Sequence, residues 1–255
     1  MKFAIITFLH TDSDTLLYNT IKNTLNSDVE YIRHTQTCLK EYDVILIPGS
    51  STGDTLQTHG QNIASNIIQA IKDAAWQGKP IIGIGDGFQV LIDAGLLSGA
   101  LCIEDDPWHI SRPTSIKVEN NLTMFTKGYR KGAEIDISTA SGRYYHADAY
   151  TLKTLMGLRQ VVFTFQNTTA GSTENIAGIV NKGGNVLGML PQPGENTDFL
   201  ASEDGIRMLK SVKKSVCKSK SKAKRKDNKE DSARNGCIGG IVEFIVEVVL
   251  EAIFS

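Results

Sequence analysis

Apolar runs alternate with amphipathic stretches through the first hundred residues of the chain. Short uninterrupted apolar runs predict buried parallel strands, and apolar residues at helical spacing predict helices packed against them. The predicted strands are residues 2–8, 29–33, 42–49 and 80–84. The predicted helices follow Asp12-Ser13-Asp14, with Leu17, Ile21 and Leu25 on one face, and cover residues 63–76, with Ile67, Ile68 and Ile71 on one face. This alternation predicts a parallel sheet with helices on both faces.

The second half of the chain is richer in strands. Residues 115–119 alternate between polar and apolar side chains, and residues 160–165 are β-branched and aromatic, as strands prefer. Two more strands are predicted at 176–180 and 185–190, joined in a hairpin by Gly183-Gly184. A helix is predicted from about residue 202 to 216, capped by Ser202 or Asp204, with Ile206, Leu209 and Val212 facing inward.

Glycines at positions 83, 85 and 87 mark the junction between the strand at 80–84 and a helix that starts at Phe88 and closes at Gly95. Such a junction is typical of a nucleophile elbow, whose apex residue is strained and lies beside a helix N-terminus that favours negative charge. An enzyme would carry Ser or Cys at the apex, where this chain has Gly85. A dinucleotide-binding fingerprint does not fit, because its third glycine would fall at Phe88.

Charge divides the chain into an acidic body and a basic tail, although the whole chain has a net charge of only −1. Residues 1–209 carry 16 basic and 22 acidic side chains, whereas residues 210–255 carry 11 and 6. The four cysteines form no CxxC pair, and the chain opens directly into a strand without the long apolar core of a signal peptide. We therefore expect a cytoplasmic protein with free thiols, and no stretch is apolar enough for an ordinary transmembrane helix.

The tail beyond residue 212 predicts two segments. Residues 213–236 are rich in Lys and Ser, which predicts a disordered linker that either acts as a solvated spacer or binds anionic surfaces weakly. Residues 237–255 predict an apolar amphipathic helix in which Glu243, Glu247 and Glu251 form one stripe. Such a helix requires a partner: its own domain, a second copy, another protein or a membrane surface. Because the segment is rich in β-branched residues, it could instead form an aggregating strand.

Several phrases of the sequence match one family in order over residues 1–212. They are 1–4, Pro48-Gly49 with Gly53-Asp54, 78–80, 87–89, 94–97, 142–145, 175–179 and 184–191. The chain resembles the glutaminase subunit of phosphoribosylformylglycinamidine synthase, a class I glutamine amidotransferase of purine biosynthesis. The resemblance implies a three-layer α/β/α (flavodoxin-like) domain over residues 1–212, followed by a C-terminal tail. It also implies a synthetase large subunit as partner, without a cofactor.

The resemblance places the family's catalytic triad on residues that cannot perform its chemistry. In the family a Cys at the elbow attacks the glutamine amide, a His takes its proton, and a Glu two residues later orients the His. These positions are Gly85, Gln192 and Gly194 here. The family's backbone oxyanion hole would fall at Gly49 and Asp86, since it uses N–H groups rather than side chains. Ser50 and Gln89 complete the predicted binding residues.

Several other side chains have chemistry that could replace the triad. Asp86 adjoins the apex and a carboxylate can be a nucleophile, but a neighbouring elbow residue points elsewhere. Cys102 is predicted to be a buried structural thiol and Cys38 a spectator in a loop. Ser50 and Ser51 lack an evident histidine to activate them. His146 is the best spare base, although a surface histidine is the favoured interpretation, and His10 is a lesser candidate for the cleft. His34, His59 and His109 lack metal-ligand spacing, so no metal site is predicted.

Two functions follow. The favoured one is a catalytically inactive glutaminase-like protein, a regulatory or decoy subunit that acts by binding, either to a synthetase subunit or to itself through residues 237–255. The alternative is an active glutamine amidotransferase that supplies ammonia for amidation of formylglycinamide ribonucleotide. All three triad residues are replaced while the other family motifs are retained, and this favours the catalytically inactive protein.

Overall fold

The computed structural model describes residues 1–7, 12–33, 35, 37–49, 65–103, 112–139, 143–166, 171–190, 199–222 and 225. The first compact unit is Met1–Lys213, and a second unit begins at Lys214. Of the predicted C-terminal segments, residues 223, 224 and 226–255 lie outside the described residues. No helix within the described ranges is both long and apolar enough to cross a membrane.

Eleven strands and five helices are described. The strands are β1 (Lys2–Thr7), β2 (Asp28–Arg33), β3 (Val44–Ile47), β4 (Ile81–Ile84), β5 (Ala100–Ile103), β6 (Arg112–Val118), β7 (Glu134–Thr139), β8 (Arg143–His146), β9 (Val161–Phe165), β10 (Ile176–Val180) and β11 (Val186–Met189). The helices are α1 (Asp12–Asn19), α2 (Ser65–Trp76), α3 (Asp86–Asp93), α4 (Ala149–Gly157) and α5 (203–222). A π-helical turn, Thr20–Thr24, extends α1, and short 3₁₀ turns occupy Thr173–Asn175 and Phe199–Ala201.

Nine strands form one sheet in the order β2-β1-β3-β4-β11-β10-β9-β6-β7. The first five are parallel, as the apolar runs predict. The other four are antiparallel, so the expected parallel sheet is only half of the observed one. β10 and β11 form the predicted hairpin around Gly183-Gly184. All residues of β3, β4, β10 and β11 are buried, so both faces of the sheet are covered and the sheet is the middle layer.

The helices bury the faces that the sequence predicts, with two exceptions. Leu17 on α1, Ile21 in the π-helical turn and Leu25 just after it are buried, and Ile67 and Ile71 are fully buried on α2. Ile68 is only half-buried. On α5, Leu209 and Val212 are fully buried, Ile206 is half-buried, and Met208, which the pattern missed, is fully buried as well.

Residues 213–222, at the start of the segment expected to be a disordered linker, are helical and continue α5. Ser202 caps this helix, since its Oγ accepts from the Gly205 N–H at 3.1 Å. Once a helix is nucleated and packed, each added residue costs little, and lysine is a good helix former. Lys213 is also anchored to the domain, because its Nζ donates to Ser27 Oγ at 2.9 Å and to the Leu25 carbonyl at 2.5 Å.

Candidate functional site

The elbow has the strained backbone that the glycine pattern predicts. β4 ends at Ile84, α3 begins at Asp86, and Gly85 between them has φ 53° and ψ −112°. Its N–H donates to the Met189 carbonyl at the end of β11 at 2.9 Å, and its carbonyl accepts from the Phe88 N–H at 3.0 Å. The apex is thus held both by the neighbouring strand and by the first turn of α3. Gly95, with φ 69°, lies just beyond the end of α3, as predicted.

The start of α3 packs directly against the end of β3. A Cβ atom added to Gly87 would lie 1.9 Å from the Ile47 carbonyl oxygen, so the two backbones leave no room for a side chain. β3 and β4 are neighbours in the sheet, with Ile47 opposite Gly83. Gly49, two residues beyond β3, therefore follows the strand end against which α3 begins. The two predicted oxyanion-hole positions, Gly49 and Asp86, therefore follow neighbouring strands at the same edge of the sheet.

Asp86 is held in an ion pair across the domain. Its side chain is 7% exposed, and its Oδ1 lies 3.3 Å from Nη2 of Arg143, which is 11% exposed. Arg143 opens β8, which pairs with β5 in a small second sheet. The carboxylate of Asp86 is thus engaged by a guanidinium, which argues against its use as a replacement nucleophile.

The second sheet also packs against α3 through aromatic rings. The rings of Phe88 and Tyr145 are stacked with centroids 5.9 Å apart. The Tyr145 hydroxyl donates to the Ser98 carbonyl at 2.9 Å, and burial raises the pKa of Tyr145 above its ordinary value. Side chains alternate along a strand, so Arg143 and Tyr145 share one face of β8 while His146 belongs to the other. His146 is exposed, as the favoured interpretation of a surface histidine predicts.

Other predicted side chains are distributed as follows. Gln89 is half-buried on α3, where its amide nitrogen donates to Asp93 at 2.7 Å. Cys102 is half-buried on β5 rather than fully buried as predicted, and Cys38 is exposed. Both are free thiols. The residues outside the described ranges are Gln192, Gly194, Ser50, Ser51, His10, His34, His59 and His109. Among the described residues, no cluster of three His, Cys, Asp or Glu side chains could hold a metal ion.

Arg143 is the site residue that sequence reasoning missed. It lies in one of the phrases that support the family resemblance, but the sequence offers no local sign that it contacts the elbow. The usable signal is indirect. A carboxylate in the tight turn at Asp86 requires a compensating cation when it is buried, and Arg143 shares its face of a short strand with the buried Tyr145.

Comparison with known proteins agrees with this geometry. Residues 18–204 match the model of the CobB/CobQ-like glutamine amidotransferase domain. A chain of the PurLQS structure from Thermotoga maritima is 31% identical with a TM-score of 0.70, and the match covers 84% of this chain and 98% of that one.

Two further structures share the fold at lower identity. A glutamine amidotransferase from Thermotoga maritima is 15% identical with a TM-score of 0.53, over 86% of this chain and 85% of that one. The glutaminase domain of Trypanosoma brucei CTPS, with bound acivicin, is 11% identical with a TM-score of 0.56, over 84% and 94%. The elbow, the α/β sheet and these matches together show that the chain belongs to the CobB/CobQ-like family of class I glutamine amidotransferase domains, as a relative of the glutaminase of purine biosynthesis.

Proposed function

We propose that this protein is a catalytically inactive glutaminase-like subunit that acts by binding. The observation that carries the proposal is Gly85, which occupies the elbow apex in the strained conformation of a nucleophile but has no side chain. A retained backbone with no nucleophile supports selection for the shape of the site rather than for its reaction.

The neighbouring side chains support the same conclusion. Covalent attack on an amide requires a nucleophile and a base within hydrogen-bond reach of each other. Asp86 is engaged by Arg143, and His146 lies on the other face of β8. Gly49, Ser50, Asp86 and Gln89 are proposed to remain as binding residues, since backbone N–H groups at the start of α3 favour a negatively charged or carbonyl oxygen.

The proposed partner is a synthetase large subunit. Its support is the likeness to a chain of PurLQS, which spans nearly the whole of that chain. Self-association through residues 237–255 remains the alternative, as does weak binding of anionic surfaces by the basic tail. The free thiols of Cys38, Cys102 and Cys217 support a reducing, cytoplasmic setting.

The second candidate function is an active amidotransferase that supplies ammonia for formylglycinamide ribonucleotide amidation. It is favoured by the intact elbow backbone, in which the helix N-terminus could still stabilise an oxyanion. The two functions differ in one measurable product, which is ammonia released from glutamine.

Ammonia release from glutamine should be absent from the purified chain, both alone and mixed with a phosphoribosylformylglycinamidine synthase large subunit. Co-elution of the two proteins is measured on the same mixture, and an active glutaminase subunit in place of this chain is the positive control. Co-elution without ammonia supports the binding subunit. Release above the background of the large subunit shows the alternative to be correct, and Asp86→Asn then tests whether that carboxylate is the nucleophile. If there is no ammonia release and no co-elution, the synthetase is rejected as the partner.

Gly85→Cys should not restore ammonia release, because the family's base position is occupied by Gln192, which can neither take the thiol proton nor pass it to the departing ammonia. The substitution should also lower the free energy of unfolding by about 1–3 kcal/mol, since a side chain is strained at φ 53° and ψ −112°. Urea unfolding and the ammonia assay measure the two effects, with Gly85→Ala as the control for the backbone cost alone. Ammonia release by Gly85→Cys would show that a base still serves the apex.

A further inference from the structure

A cavity of about 530 Å³ lies away from the elbow, between the turn that follows β6 and the turn that joins α4 to β9. β9 is antiparallel to β10, which is antiparallel to β11, so β9 runs in the same direction as β4. Asn120 and Arg159 lie near the start of β9, whereas the elbow follows the end of β4. The cavity is therefore separate from the glutaminase cleft.

The polar groups of the cavity favour an anion. Lys131 and Arg159 line it, and neither makes an ion pair with any carboxylate of the described residues. The one lining carboxylate, Glu119, already lies 3.0 Å from Lys117 Nζ and accepts a hydrogen bond from Thr164 at 3.0 Å. Two cations thus face the cavity with the local negative charge already compensated.

The remaining wall is apolar and favours a ligand that carries an apolar group beside its anionic group. Leu122, Met156 and Val161 contribute to the lining, and the first two are 65% and 46% exposed. Covering long, exposed apolar side chains beside cations with a flat or apolar group contributes favourable binding free energy. A volume of about 530 Å³ is that of an ordinary small-molecule site, far larger than a single phosphate or carboxylate would fill.

The walls are fixed by hydrogen bonds before any ligand arrives. Asn120 Nδ2 donates to the Arg159 carbonyl at 2.7 Å, and Asn120 Oδ1 accepts from the Leu122 N–H at 2.9 Å. The Asn120 carbonyl also accepts from Thr126 Oγ1 at 2.7 Å. One asparagine thus joins the two turns that frame the cavity. A preformed site lowers the ordering cost of binding.

We propose that this cavity binds a nucleoside monophosphate, with its phosphate at Lys131 and Arg159 and its base and sugar against the apolar wall. The two cations indicate where the phosphate binds, and the cavity volume indicates a ligand of nucleotide size. The exposed Leu122 and Met156 indicate where the base and sugar pack. Such a site would make the binding subunit responsive to nucleotide, independently of the elbow.

The test is calorimetric titration of the full chain with AMP, GMP and UMP at low salt, with adenosine and inorganic phosphate as fragments. At least one nucleotide should bind with a dissociation constant of about 1 mM or tighter, and more tightly than either fragment. Added salt should weaken the binding, because the contacts are charged and exposed.

Two variants locate the site. Lys131→Gln and Arg159→Asn should each weaken nucleotide binding about tenfold, the usual effect of losing one charge-assisted hydrogen bond. Asparagine suits position 159, because Arg159 has φ 54° and asparagine tolerates that conformation. The matched control is Arg130→Gln, which removes the same charge beside the cavity without lining it. Unchanged thermal unfolding verifies that each variant is folded.

Three results would overturn the proposal. The first is no binding of any nucleotide at millimolar concentration. The second is nucleotide binding that both cavity variants leave unchanged, which would place the site elsewhere. The third is inorganic phosphate binding as tightly as the nucleotides, which would show that the apolar wall contributes nothing.

Discussion

Gly87→Ala is expected to lower the free energy of unfolding by about 3 kcal/mol, at the upper end of the usual cost of overpacking. The added Cβ would lie 1.9 Å from the Ile47 carbonyl oxygen, which is a backbone atom of a central strand. A flexible side chain could move aside, but here either α3 must shift off the sheet or β3 must bend. The shift would also displace the elbow apex, since Gly85 is hydrogen-bonded to the first turn of α3.

Urea unfolding followed by circular dichroism measures the effect, and Gly157→Ala is the matched control. Gly157 ends α4, and nothing lies within 4 Å of an added Cβ there. Alanine at that position should stabilise the protein by roughly 0.5–1 kcal/mol, because it restricts the unfolded chain. A loss below about 1 kcal/mol for Gly87→Ala would contradict the close packing of α3 on β3.

Asp86→Ala and Arg143→Ala are each expected to lower the free energy of unfolding by about 3–5 kcal/mol, because each removes the opposite charge of a buried ion pair. The two side chains are 7% and 11% exposed, so water can compensate little of the loss. The double variant should be less destabilised than the sum of the single variants, with a coupling free energy of at least about 1 kcal/mol. Unfolding of the four proteins in a double-mutant cycle measures this coupling.

The control for that cycle is an exposed ion pair of the same domain. Lys22 and Asp28 lie 3.7 Å apart with side chains 52% and 73% exposed. Lys22→Ala should therefore change the free energy of unfolding by no more than about 1 kcal/mol. The ion pair would not hold the second sheet to the elbow if the Asp86 and Arg143 variants changed the free energy of unfolding as little as Lys22→Ala. The same would follow if their two free-energy changes were simply additive.

The candidate site was only partly predictable. The positions of the elbow and of its missing nucleophile follow from local features, since glycines at 83, 85 and 87 stand between an apolar run and a helical pattern. The ion pair between Asp86 and Arg143 does not, because it joins two distant parts of the chain. The cavity at Asn120 and Arg159 is equally non-local, since its walls come from two separate turns.

The sequence by itself determined the parallel strands, the amphipathic helices, the hairpin of β10 and β11, and the glycine at the apex. Each of these depends on a period or a turn preference that acts over a few residues. Only the tertiary structure decided the antiparallel half of the large sheet, the pairing of β5 with β8 and the continuation of α5 to residue 222. Strand partners and helix ends depend on which buried surfaces meet, and that choice is made by packing across the whole domain rather than by local preference.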